Sequence, residues 1–288
     1  MVAGTLALVY APVCVELFKD WLRDPNYSHG LLVPVISGVI LWSQRRRLAA
    51  LPLSGSWIGV ALMVVAAGLL VLGAAGAEVF TQRVSLILAL GATVLALGGW
   101  SWVRGTAFPL AFLLFAVPLP YVIYYDITGP LQSLAAAVAM DGLVLIGIPA
   151  VKQGNIIHLP DLSLEVAEAC SGIRSLYEFL ALGALFARGL PLPWWGKVLV
   201  FLTTIPISVA GNAVRVWGTG VASHLVGSGA ATGPAHEAVG LVVLAVALGI
   251  LLLLGKVVRR LWPSAQTSCS CVSWPREPSR TGWVETAS

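Results

Sequence analysis

Charge is what this sequence has least of. Of 288 residues only 10% are Asp, Glu, Lys or Arg, against roughly 25% in soluble domains, and the deficit excludes an ordinary water-soluble globule. Nor is there a large excess of one sign. Seventeen Lys+Arg against 13 Asp+Glu leave +4, which basic loops on one side of a membrane explain without nucleic acid. Cysteine is scarce: Cys14, Cys170, Cys269 and Cys271 show neither zinc spacing nor the pattern of a disulfide framework. Histidine is equally scarce, and His29, His158 and His224 lack a second ligand at a fixed spacing, so neither metal nor cofactor is expected. The first apolar run lacks a basic n-region and carries Glu16 and Lys19 at its end, so it reads as an uncleaved first span. No internal repeat is evident.

What the chain does have is apolar length. Hydrophobic residues make up 58% of it, and a helix crossing the hydrocarbon core needs about 20 such residues. Candidate runs lie near 2–18, 30–43, 57–75, 84–102, 107–125, 127–148, 170–187, 195–216 and 236–256. Lys and Arg mark cytoplasmic loops, which puts Arg45 to Arg47, Arg104, Arg188, Lys197, Lys256, Arg259 and Arg260 inside. Counting forward from the N-terminus and backward from Arg260 both place 126–169 outside, so parity removes run 127–148 as a full span. Asp141, Gln132 and Ser133 within it agree, because a central Asp costs about 2.5 to 3.5 kcal/mol on insertion scales. The expectation is an all-α polytopic membrane protein with about eight transmembrane helices, both termini cytoplasmic, an interfacial helix at the outer surface and a short β-like outer segment. That segment is 151–169, where Pro160-Asp161 marks a turn and Leu162, Leu164 and Val166 alternate with polar residues. The membrane domain is expected over 1–262, and 263–288, rich in Ser, Pro and charge, as a disordered cytoplasmic tail.

Polar residues near span ends are informative, since burying them costs free energy that an inert span avoids. Cys170 starts one run, Asn212 and Arg215 end another, and His236 starts the last; the charge-derived orientation puts all four at the outer surface. A thiol at a helix N-terminus or beside Arg has a lowered pKa, which makes Cys170 a candidate nucleophile. His236 has the chemistry of a general acid or base. Arg215 stays protonated and suits an oxyanion, and Asn212, one turn earlier on the same face, suits orienting His236 or a further donor. Arg174, four residues after Cys170, either shares its face or pairs with Glu178. Each has a plain alternative: Cys170 as a small buried hydrophobe, Arg215 as a snorkelling anchor, His236 as an ordinary helix-start residue. Glu168 reads as structural or substrate-facing, because an anion beside a thiol raises its pKa. A lipid-linked glycan transferase or flippase, or a non-catalytic envelope assembly factor, is an alternative function that needs no thiol.

The segment Glu168-Ala169-Cys170-Ser171-Gly172-Ile173-Arg174-Ser175, then Gly211-Asn212-Ala213-Val214-Arg215-Val216, then His236 four residues before Gly240, resembles the exosortase/archaeosortase family. Ser28-His29-Gly30, Pro118-Leu119-Pro120 and Gly154 to Leu159 add to the likeness, which covers roughly 15–260. The resemblance implies a cysteine transpeptidase of the bacterial inner membrane with its active site facing outward. Its implied partners are membrane-anchored exported proteins ending in a sorting signal of the PEP-CTERM type: a short Pro-Glu-Pro motif, a transmembrane helix and a basic cluster. It further implies an acceptor nucleophile of unspecified identity and an association with exopolysaccharide production. By the same resemblance Cys170 is the nucleophile, Arg215 the essential arginine and His236 the third member.

Overall fold

In a computed structural model of the chain, residues 2–160, 163–166, 172–227 and 234–261 are described. An apolar chain in lipid must satisfy its backbone polar groups internally, which favours helices, and the described residues are mostly helical. They form α1 (Val2–Arg23), α2 (Leu32–Ser43), α3 (Arg45–Ala49), α4 (Trp57–Ala75), α5 (Val79–Gly98), α6 (Trp100–Phe112), α7 (Tyr121–Leu145), α8 (Ile173–Gly189), α9 (Trp194–Val226) and α10 (Pro234–Leu261). Among the described residues five stretches are long and apolar enough to cross a membrane: Trp57–Ala75, Val79–Gly98, Tyr121–Leu145, Trp194–Leu225 and Ala238–Arg260. Large apolar side chains such as Leu8, Val35, Val64 and Leu241 are exposed along several helices, as expected where lipid is the solvent. The chain is a polytopic, all-α membrane protein.

The basic residues assigned to one face do gather at one end of the bundle. Leu48, beside the Arg45 to Arg47 triplet, packs on Gly105, next to Arg104. The Arg188 guanidinium lies 4.5 Å over the Phe108 ring, Lys197 Nζ donates to Arg188 O at 3.5 Å, and Gly255, beside Lys256, abuts Phe186. At the opposite end Glu78 caps α5 by accepting from Phe80 N and Thr81 N at 3.0 and 2.6 Å, and Arg83 of α5 pairs with Asp20 of α1.

Two boundaries differ from the sequence expectation. The apolar run 107–125 is not one helix: α6 tightens into a 3-10 turn at Leu113–Ala116, and α7 begins only at Tyr121. Pro118 and Pro120 lack N–H donors and bias their predecessors away from helical backbone, so the break falls there and not near 126. The expected interfacial segment 127–148 is therefore part of a 25-residue helix that by length and composition alone could span.

The β-like reading of 151–169 gains a strand. Val151–Gln153 (β1), Ile156–His158 (β2) and Ser163–Glu165 (β3) form an antiparallel sheet in that order, with Gln153 opposite Ile156 and Ile157 opposite Leu164. The two-residue β1–β2 turn starts with Gly154 at φ +62°, the residue that a type II′ hairpin turn requires. The sheet's buried Ile157, Leu164 and neighbouring Val166 pack on Ala135, Ala136, Ala139 and Leu143 of α7 and on Val216 of α9. Polar residues of α7 join it: Asn155 Nδ2 donates to Gln132 Oε1 at 2.8 Å and Lys152 Nζ to Ser133 Oγ at 3.0 Å. Asp141 is exposed. The expected tail, 263–288, lies outside the described residues.

Candidate active site

The start of α8 is pressed onto α9. Gly172, its N-cap, adopts φ +82°, a left-handed backbone that costs other residues about 1–2 kcal/mol. A Cβ there would lie 2.8 Å from Asn212 Nδ2. Glycine is thus required twice, by backbone and by contact. Gly172→Ala is expected to lower the Tm of the protein in detergent, because the strain and the clash both fall on the Gly172–Asn212 contact; thermal melts of the two proteins side by side check it.

Asn212 is buried and Arg215 half-buried on one face of α9, one helical turn apart. The third wall is α10. A Cβ on Gly240 would stand 3.3 Å from Arg215 Nε and 3.4 Å from its Cζ, so the missing side chain lets α10 lie directly along the guanidinium. These elements enclose a cleft of about 500 Å³. Arg174, Glu178, Asn212 and Arg215 form its polar end, while Phe179, Leu244 and Ala247 continue it along the helices. The Arg174–Glu178 alternative is realised, with Nε 3.1 Å from Oε1. Two guanidinium groups against one carboxylate still leave this end net positive, an environment that favours a thiolate or a developing oxyanion.

Sequence reasoning missed Ser208, Glu178 as a lining residue, and the role of Gly240. Ser208 Oγ is buried and without a hydrogen-bond partner among the described residues. A signal for it existed: Thr204, Ser208, Asn212, Arg215, Thr219 and Ser223 recur at spacings of four, four, three, four and four, a single polar stripe on an otherwise apolar helix.

Of the remaining candidates, Cys170 and Glu168 lie outside the described residues. Residue 236 falls in the first turn of α10, four positions before Gly240, and its side chain is likewise outside them. Cys14 is exposed on α1; Cys269 and Cys271 are outside the described residues. His158 pairs with Ser163 Oγ on the sheet at 2.8 Å and His224 is exposed at the end of α9. Among the described residues no group of three His, Cys, Asp or Glu converges.

His29, in the 3-10 segment Pro25–Leu31, packs between the end of α6 and α8. Its Nε2 is 3.2 Å from Phe115 O and its ring 5.9 Å from that of Tyr177. Burial pushes its pKa below the ordinary histidine value, partly offset by Glu178. The unfolded chain therefore takes up a proton as pH falls through about 6.5 while the folded chain does not, so acidification below neutrality removes stability until the depressed folded pKa is passed. His29→Gln is expected to flatten the slope of Tm against pH in that window, measured in detergent; an unchanged slope would place the pH dependence elsewhere.

A model of the family described as Transmembrane exosortase (Exosortase_EpsH) matches residues 21–253. No curated protein and no solved structure matches the chain.

Proposed function

The chain belongs to the transmembrane exosortase family, and from that premise we propose that it is a membrane cysteine transpeptidase cleaving C-terminal sorting signals of exported proteins. The observation that carries this reading is the meeting of Gly172 with Asn212 and of Gly240 with Arg215 around one cleft. Cys170 precedes Gly172 by two residues, a reach of at most about 7 Å. His236 precedes Gly240 by four, the spacing that repeats a helical face. These chain spacings support reading all three proposed catalytic positions at the Arg215 end of the cleft.

In the proposed reaction the Cys170 thiolate attacks the scissile carbonyl carbon, and the carbonyl electron pair moves onto oxygen, where Arg215 donates to it. Collapse re-forms the carbonyl, breaks the C–N bond and leaves a thioester; His236 gives its proton to the departing amine. An acceptor amine then attacks the thioester, passes its proton to His236 and expels the thiolate. The substrate's membrane helix enters sideways, along the apolar wall of Phe179, Leu244 and Ala247.

The proposed topology has eight passes, α1, α2 continued by α3, α4, α5, α6 continued by its 3-10 turn to Ala116, α8, α9 and α10, with the cleft facing outward from the bacterial inner membrane and both termini inside. Contacts of α7 support leaving it out. Asn26 Nδ2 lies 3.5 Å from Tyr124 OH near its start, and at its other end Gly142 meets Trp217 and Leu143 meets Gly220. Both ends therefore touch elements at the Arg215 end of the bundle. Helix α9 is long enough to receive it there: 33 residues rise about 50 Å, well beyond a hydrocarbon core of about 30 Å. The substrates proposed are PEP-CTERM-type proteins, with a role in exopolysaccharide or biofilm matrix, on the strength of the family likeness.

The test is co-expression with a tagged PEP-CTERM reporter from the same genome, in a Cys14→Ser/Cys269→Ser/Cys271→Ser background that keeps Cys170 as its only cysteine. Processing that a membrane-impermeant thiol reagent stops, added from outside, is the expected result. Processing that the reagent leaves intact would favour a thiol-independent transferase or assembly role and defeat the reading.

A further inference from the structure

A second and larger cleft, of about 740 Å³, opens at the same end of the bundle. Its walls are the end of α1, the α4–α5 turn and the start of α7. Arg83 is only 6% exposed there; one nitrogen pairs with Asp20, and its Nε has no partner among the described residues. The other carboxylates at the cleft are already engaged, Glu78 at the cap of α5 and Asp24 with Asn26 N at 2.9 Å. Tyr121 and Tyr125 are 80% and 54% exposed, their rings stacked with centroids 6.4 Å apart. Tyrosines at a membrane surface need no ligand to explain them. A buried guanidinium with an unpartnered N–H does, since leaving such a group unsatisfied is expensive.

The chemistry narrows the ligand. Arginine only donates and carboxylate only accepts, so the Arg83–Asp20 pair suits a group offering acceptor and donor side by side. A phosphate offers acceptors alone and would face Asp20, Asp24 and Glu78, three carboxylates that outnumber Arg23 and Arg83. Peptide units of an extended chain offer both, and apolar or proline side chains between them suit tyrosine faces. Position favours a peptide over a sugar with neighbouring hydroxyls. Asn26, Tyr27, Leu119 and Tyr124 line this cleft and also a narrow constriction beside it, whose other walls include Tyr177 and Arg174. Arg174 in turn lines the cleft of Arg215. The three openings thus adjoin one another, each sharing a wall with the next.

We infer that the Arg83–Asp20 cleft holds the extended segment of the exported protein that precedes its sorting signal. This rests on the proposed function: the membrane helix of the substrate lies on the α10 side, the scissile bond beside Arg215, and the upstream chain passes over the outer rim of the constriction to the tyrosines. It makes this surface a specificity site separate from the reacting groups.

Two membrane reporters test it, identical in sorting signal but carrying upstream either about ten native residues, roughly 30 Å when extended, or the same length of Gly-Ser. The wild type should show a KM for the native reporter about three- to tenfold below that for the Gly-Ser reporter. Tyr121→Ala/Tyr125→Ala, both at exposed positions, should erase that difference, leaving kcat and the Gly-Ser KM unchanged. Equal KM values in the wild type, or a variant that raises both alike, would overturn the assignment. A photo-crosslinking amino acid replacing exposed Val122, placed in the Cys170→Ala background, reads binding without turnover. Capture of upstream reporter residues supports the assignment even if the wild type processes neither reporter, in which case the proposed reaction alone fails. Thiol-dependent processing with only lipid or glycan captured sinks the cleft assignment alone.

Discussion

Replacing Cys170 by alanine is expected to abolish processing and membrane release of the tagged reporter while the enzyme itself accumulates normally. The proposed reaction stores the acyl group on sulfur, and the hydroxyl of adjacent Ser171 forms no appreciable anion near neutral pH with which to replace it. Losing the nucleophile of an acyl-transfer enzyme costs on the order of 10³-fold or more in kcat, to 10⁶ where the nucleophile and base act as a unit. Cys170→Ser is expected to be almost as severe, since a hydroxyl has no appreciable anion near neutral pH and the positive end of the cleft stabilises an anion it does not form. Cys14→Ser is the internal contrast: that thiol is exposed on α1, far along the chain from the Arg215 cleft, and its loss should be silent. Reporter size and release on immunoblots decide between them. Full processing by Cys170→Ala would falsify the thioester scheme.

Much of the architecture was legible because the bilayer simplifies the code. A shortage of charge and long apolar runs left helices as the only economical structure, and the basic residues at 45–47, 104, 188 and 197 marked the end of the bundle where their neighbours meet. What was hidden depended on short-range backbone chemistry. Hydrophobicity runs unbroken through Phe115 to Tyr125, so periodicity alone placed a helix where Pro118 and Pro120 forbid one; reading the prolines as breakers would have moved the boundary. The alternation at Leu162, Leu164 and Val166 pointed to strand, but β1 is three residues long and announces itself only through Gly154 at the turn.

The site shows the same division. Asn212 and Arg215 stood out because polar residues in an apolar run carry an evident penalty, and the structure sets them in one cleft with Arg174. Gly172 and Gly240 did not stand out as contacts, because a glycine's part in packing is an absence: one admits Asn212, the other Arg215. Glu178 was legible only as a partner of Arg174, since nothing in the sequence says which face of α8 turns to the cleft. The Asp20–Arg83 pair joins residues 63 apart, and no local pattern announces such a contact.

Arg215→Lys is expected to lower kcat by about 10²- to 10³-fold, the usual effect of removing one oxyanion donor, with KM nearly unchanged. The substitution keeps the positive charge, so a role as a simple membrane anchor or field source predicts little effect. What it removes is the planar fork of N–H groups at fixed spacing. The structure gives that fork a defined bed: α10 approaches Arg215 through Gly240, where an added Cβ would stand 3.3 to 3.5 Å from Nε, Cζ and Nη2, while Asn212 lies one turn away on the same face. An ammonium on a lysine stem can neither lie flat along Gly240 nor present two parallel donors. Gly240→Val offers an independent route to the same outcome, because a branched side chain at that position must displace the guanidinium without touching its chemistry. If donor geometry is what matters, both variants lose kcat and retain reporter binding. Near-normal turnover by Arg215→Lys, with Gly240→Val equally active, would leave Arg215 only its charge and force the oxyanion donor to be sought among the backbone N–H groups at the start of α8.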